Sequence, residues 1–161
     1  MRQLPSPEQI RRNLRRAAEV AQAAAAAGSH PFGAILVAAD NETVLLEQGN
    51  INTVNHAEST LARRAAEQFT PEQLWLMTLY TTVEPCAMCA GTQYWANLGR
   101  LVYGMSEAQL LEFTGDHPDN PTMELASREV FAHGQKAIEV IGPVADMIAE
   151  IAAIHVDFWK R

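Results

Sequence analysis

Leu76-Met77-Thr78-Leu79-Tyr80-Thr81-Thr82-Val83, running into Glu84-Pro85-Cys86-Ala87-Met88-Cys89, reads as a strand that hands over to a helix. Residues 76–83 form an unbroken apolar and β-branched run, the pattern of a central strand covered on both faces. Pro85 cannot extend a ladder, so the spacing predicts a helix over 86–97. Upstream, the short apolar run 33–38 predicts a strand, and Asp40-Asn41-Glu42 its turn. Residues 43–48 then predict the returning strand of a hairpin. A polar loop over 49–55 leads to a second helix, 56–69, whose apolar side carries Leu61, Ala65 and Ala66.

The remaining elements follow by the same grammar. Ser6-Pro7-Glu8-Gln9 is a capping box with proline at the first helical position. It opens a helix that Gly28 stops. Thr70-Pro71-Glu72-Gln73 repeats the signal for one short turn. Residues 101–104 predict a strand, 107–113 a short helix, and 114–122 a loop. Ser127 reads as the cap of a helix through His133, ended by Gly134. Residues 137–141 predict the last strand, and Pro143 the start of a terminal helix that closes on Val156-Asp157-Phe158-Trp159. This alternation implies an α/β fold, a three-layer α/β/α sandwich around a mixed five-stranded sheet. The hairpin is its antiparallel part, and helical crossovers make the later strands parallel. Residues 1–161 read as one domain, with no internal repeat, low-complexity tract or linker.

The chain has 12 basic and 19 acidic residues and a net charge of −7, which disfavours nucleic acid as a partner. Arg11-Arg12-Asn13-Leu14-Arg15-Arg16 reads as the solvated face of an amphipathic helix. No secretory h-region or membrane-length apolar run occurs. The two cysteines both lie in one C-x-x-C, so no disulfide framework exists and a reducing, cytoplasmic setting is expected.

Cys86 and Cys89, together with His56 some thirty residues earlier, offer two thiolates and an imidazole, a donor set that suits Zn²⁺. Three protein ligands leave a fourth position for water, as in catalytic zinc sites. Glu58, two residues beyond His56, is placed to move protons between that water and a substrate. Both segments open helices at one end of the sheet, where open α/β sheets place ligands. Two other readings compete. A redox dithiol leaves His56-x-Glu58 and Pro85 unexplained; a structural zinc needs a fourth ligand from His30, His117, His133 or His155.

With these motifs the chain resembles the cytidine-deaminase-like superfamily, in its His-Cys-Cys branch of guanine, cytosine and tRNA adenosine deaminases. The resemblance runs through Pro31-Phe32-Gly33, Glu47-Gln48-Gly49-Asn50, His56-Ala57-Glu58, Leu79 to Gly91 and Gly99-Arg100-Leu101-Val102-Tyr103-Gly104. It implies a five-stranded sheet between helices, a homodimer or larger assembly, and hydrolytic release of ammonia from a nucleobase or nucleoside. It also implies that Asn50 hydrogen-bonds the base, that the Ala57 N–H binds a ring carbonyl, and that the Glu84 carbonyl accepts from the amino group. Phe32 would stack on the ring, or else be an ordinary core residue ahead of a strand. The segment between Asn50 and His56 lacks the Asp-Pro-Thr common in the family, so Asn52 or Asn55 could replace Asn50.

From Glu107 onward the match fades. In guanine deaminases an acidic residue of this region reads the purine, which makes Asp116 and Glu112 candidates beside the plainer reading of loop carboxylates. Phe158 and Trp159 could form an aromatic lid or merely dock the terminal helix. Tyr94 and Trp95 could face the pocket, and Trp95 could instead pack at a subunit interface. Guanine or a related aminopurine is the expected substrate, ahead of cytosine, cytidine or other amino-heterocycles, with tRNA third. A non-enzymatic zinc-stabilised domain is the alternative from another class.

Overall fold

The computed structural model describes residues 2–160; Met1 and Arg161 lie outside it. Five strands form one sheet in the order β2-β1-β3-β4-β5. They are β1 (Gly33–Val37), β2 (Val44–Gly49), β3 (Thr78–Val83), β4 (Arg100–Met105) and β5 (Glu139–Ile141). β1 runs antiparallel to both β2 and β3, while β3, β4 and β5 are parallel. Every residue of β1, β3 and β4 is buried, as expected of strands covered on both faces.

Period-two alternation divides the core between the two faces. Ala34, Leu36, Leu79, Leu101 and Tyr103 face α2 (Ala57–Gln68), α4 (Ala87–Trp95) and α6 (Ser127–Ala132), and pack with Leu61, Ala65, Ala90 and Phe131. Ile35, Val37, Tyr80 and Val102 face α1 (Pro7–Ala26), α5 (Glu107–Thr114) and α7 (Ile148–His155), and pack with Leu14, Ala17, Leu110 and Ile151. α1 has the expected capping box, with Ser6 accepting from the Gln9 N–H at 3.1 Å and Gln9 returning a bond to the Ser6 N–H. Its arginines are engaged: Arg11 with Asp146, Arg15 with Glu150 and Arg16 with Glu47, at 2.7–3.1 Å.

Three elements differ from the sequence reading. The strand begins at Thr78 and not at Leu76, because the Thr70/Gln73 capping box sustains a helix, α3 (Pro71–Leu76), that buries Leu74. Pro143 does not open the terminal helix. The Val144 N–H donates to the Gly104 carbonyl at 2.9 Å, keeping the chain extended at the end of β4. A 3₁₀ turn, Ala145–Met147, precedes α7. Ser127 does not cap α6: its hydroxyl is spent on Glu84, and Ala126 occupies the cap position.

α1 lies directly on β1 at Gly33. A Cβ there would fall 2.4 Å from the Ala21 nitrogen and 2.5 Å from the Ala17 carbonyl oxygen, both backbone atoms that cannot turn away. Gly33→Ala therefore pries the first helix off the sheet, at a cost of about 3 kcal/mol, the upper end of overpacking penalties. Urea unfolding of the variant checks this, with the midpoint falling at unchanged slope.

Candidate active site

The site lies at the carboxyl ends of β3 and β4. Residues 84–86 leave β3, and Cys86 becomes the N-cap of α4; the loop after β2 ends on His56, the N-cap of α2. Neither residue caps with its side chain, so imidazole and thiol are free to turn toward each other. Packing of α2 against α4 brings them together. His56 Nδ1 lies 3.6 Å from Cys86 Sγ and 3.5 Å from Cys89 Sγ, and the two sulfurs are 3.7 Å apart.

These separations test the donor set. A tetrahedral zinc with ordinary bond lengths requires about 3.8 Å between two sulfurs and about 3.6 Å between sulfur and nitrogen. The three donors fit the ion. Among the described residues they form the only group of this kind. His133 Nδ1 is bonded to the Glu129 carbonyl, and His155 to the Trp159 indole N–H. His30 and His117 pack against Trp159. His56 and Cys86 themselves line a cavity, as does His30.

The protein prepares a thiolate. A bond from the Cys89 thiol, followed by the neighbouring imidazole, pulls Cys86 down to about 4, while that same shared proton and burial push Cys89 up. The Cys86 bond also raises His56. Helix N-termini add their positive end to the same preference.

Glu58, in the first turn of α2, is 5% exposed. Burial raises its pKa, and the Thr81 hydroxyl, donating to Glu58 Oε1 at 2.5 Å, opposes the rise. A carboxyl so placed holds a proton more readily than one in water, which suits proton transfer near neutral pH.

A cavity of about 650 Å³ opens over these residues. Phe32, Asn50, Glu58 and Glu84 line it, with His56 and Cys86. Asn50 is buried and its N–H donates to the Phe32 carbonyl at 3.0 Å. Asn52 and Asn55 do not line it: Asn52 Oδ1 caps the N–H groups of Val54 and Asn55, and Asn55 accepts from Arg63. Ala57 is buried at the first position of α2, where backbone N–H groups have no partner within the helix.

Asp116 and Glu112 are exposed and outside the wall. Gly115, at φ +51°, turns the chain away after α5, and the wall is resumed by Pro118 to Met123. Tyr94 packs on Lys136, and Trp95 is 81% exposed. Trp159 is buried against His30, Phe32 and His155, behind the cavity wall.

Two carboxyls of the wall escaped the sequence reading, Glu107 and Asp119. Glu107 could have been found. Ser106 and Gln109 form a capping box straight after β4, which puts residue 107 at the first turn of a helix beside the metal end of the sheet. Burial, then the charges of Cys86, Glu58 and Glu84, push it up to about 9.

Three comparisons place this geometry among known proteins. A family model for MafB19-like deaminases matches residues 8–141. A probable cytosine deaminase of Schizosaccharomyces pombe is 35% identical over 150 residues, 91% of this chain and 90% of the relative. A guanine deaminase of Bacillus subtilis is 37% identical over 86 residues, 51% of this chain and 54% of the relative. A solved structure of a tRNA:A34 deaminase, which edits A to I at the wobble position, superposes with a TM-score of 0.65 at 27% identity, covering 89% of this chain and 99% of that one.

The raised Glu107 pKa predicts a pH dependence. An acid whose pKa is higher folded than unfolded stabilises the fold below its unfolded value, and that contribution is lost as pH rises from about 4.5 through about 9. Glu107→Gln keeps the shape and removes the ionisation. Its melting temperature relative to the parent should therefore climb between pH 5 and pH 9, as read by thermal unfolding across that range.

Proposed function

This chain belongs to the MafB19-like deaminase family, and we propose that its substrate is a free aminopurine base, guanine first. The enzyme is a hydrolase that breaks a C–N bond of a nucleobase or nucleoside and releases ammonia. The observation that carries the choice of substrate is the side-chain make-up of the wall. Glu58, Glu84, Glu107 and Asp119 line the cavity, and no Lys or Arg does. Away from the metal ligands, a phosphate would meet acidic side chains and no Lys or Arg to receive it. The arginines of α1 that could have steered RNA are held in ion pairs. A neutral base meets neither obstacle.

Within the bases, hydrogen-bond count favours guanine. Guanine carries two ring N–H groups beside its amino group, and cytosine one. Glu58 and Glu84 are committed to Thr81 and to the helix ends, which leaves Glu107 and Asp119 as two acceptors for ring N–H groups. Phe32 supplies an aromatic wall. Cytosine is the second reading, favoured by the Schizosaccharomyces pombe relative that matches nearly the whole chain.

The roles divide as follows. His56, Cys86 and Cys89 would hold zinc, which when bound would lower the pKa of water to roughly 7 and so supply a nucleophile at neutral pH. Glu58 would carry one proton of the attacking water to a ring nitrogen and the second to the amino group, which leaves as ammonia. Asn50 and the Ala57 N–H orient the ring, Phe32 stacks on it, and the Glu84 carbonyl accepts from the amino group. We place the protein in the cytoplasm as a one-domain homodimer, a setting suited to two reduced thiols at one metal.

Ammonia release over guanine, cytosine, adenine, isocytosine, pterins, triazines and their nucleosides tests the proposal. Guanine should react fastest, and Glu58→Ala should lose at least about 10²-fold in rate with zinc still bound. Faster release from cytosine replaces the purine with the second reading. Release only from a tRNA stem-loop overturns both.

A further inference from the structure

Glu84 stands between β3 and the metal-binding Cys86, and the whole residue is buried. Its N–H donates to the Met105 carbonyl at 2.7 Å, which fixes its backbone to the end of β4. Its carboxylate reaches away from the metal segment, to the first residues of two other helices. Oε1 accepts from the Glu107 N–H at 3.2 Å, at the start of α5. Oε2 accepts from the Ser127 N–H at 3.0 Å and from the Ser127 hydroxyl at 2.8 Å, at the start of α6. One side chain satisfies donors at both helix starts.

The chain between these two attachments is the far wall of the cavity. Glu107, Leu110 and Pro118 to Met123 all line it. Its own hydrogen bonds stay local. Thr114 and Asn120 bond to Thr122, the Asp119 N–H donates to His117 Nδ1, and the backbone bonds of 108–126 run within 106–130. Beyond those, Leu110 is buried in the core and the His117 ring meets Trp159 at 5.4 Å. The position of this wall relative to the metal ligands therefore depends on the two ends that Glu84 holds.

We propose that the Glu84 carboxylate is a specificity-determining positioning residue, which clasps both ends of segment 107–127 onto the metal-bearing strand end. The clasp rests on the reading that this cavity receives the base, and it acts on recognition, not on the reacting atoms. Glutamine at this position would keep the shape but turn an amide N–H₂ toward backbone donors, so one attachment opens. Alanine at 127 removes only the hydroxyl and leaves the backbone bond.

Steady-state kinetics with amide hydrogen exchange test the clasp in the zinc-loaded protein. Glu84→Gln should raise KM for the best base about tenfold, the scale of one or two buried hydrogen bonds. It should also narrow the kcat/KM ratio between the best and second-best bases, hold zinc at one per chain, and speed exchange over 108–126. Ser127→Ala should act in the same direction with a smaller effect, and it decides the matter if Glu84→Gln does not fold. Unchanged exchange and an unchanged substrate ratio in both variants overturn the clasp, as does a fall in kcat alone. If the parent protein releases ammonia from none of the bases, the proposed function has failed. The exchange over 108–126 needs no substrate, and still decides the clasp.

Discussion

Two helices that start in different parts of the chain must place a nitrogen and two sulfurs within 3.7 Å of one another, and much of this fold can be understood from that requirement. Neither helix can do it alone. Cys86 and Cys89 share one turn of α4, but His56 arrives on α2, so the site exists only when α2 and α4 pack side by side on the sheet. The small residues of that face, Ala57, Ala62, Ala65 and Ala90, are buried in one core cluster, and they let the helix backbones approach closely. The opposite face of the sheet solves a similar problem at Gly33, where α1 comes too close for any side chain. Chemistry at the carboxyl end of β3 thus depends on packing along the whole of the sheet.

The reacting centre and the wall that surrounds it are built differently. His56, Glu58, Cys86 and Cys89 sit at strand ends and in first helical turns, where backbone hydrogen bonds set their positions. The far wall is a chain segment whose hydrogen bonds are local apart from those to Glu84 at its two ends, with Leu110 in the core and His117 against Trp159. Such a division allows the wall to vary in sequence while the metal ligands stay where they are.

Legibility in the sequence follows the range of the interactions. The metal-donor candidates and Glu58 stand out in the sequence because each motif is local, and a redox dithiol explains only one of the two. The sheet was readable because β1, β3 and β4 are buried throughout and their apolar runs are continuous. Where a local signal met a tertiary bond, the tertiary bond prevailed. Ser127 looks like a helix cap and instead donates to Glu84, forty-three residues away; Pro143 looks like a helix start, yet Val144 is tied to Gly104. Of the three asparagines 50, 52 and 55, only Asn50 lines the cavity, because Asn52 is occupied with its own neighbours and Asn55 with Arg63. Asp119 was missed because a loop of polar residues does not reveal which carboxyl will line a cavity, whereas Glu107 follows from the Ser106/Gln109 capping box.

The central claim is an open, three-ligand metal centre fed by two helix N-termini. X-ray absorption at the zinc edge of the purified protein tests it most directly. The account predicts one zinc per chain, with two sulfurs at about 2.3 Å and the remaining ligands nitrogen or oxygen at about 2.0 Å, one of them exchangeable with added small anions. A zinc with a second histidine in place of the exchangeable ligand, or Cys86 and Cys89 joined in a disulfide with no metal bound, would contradict it.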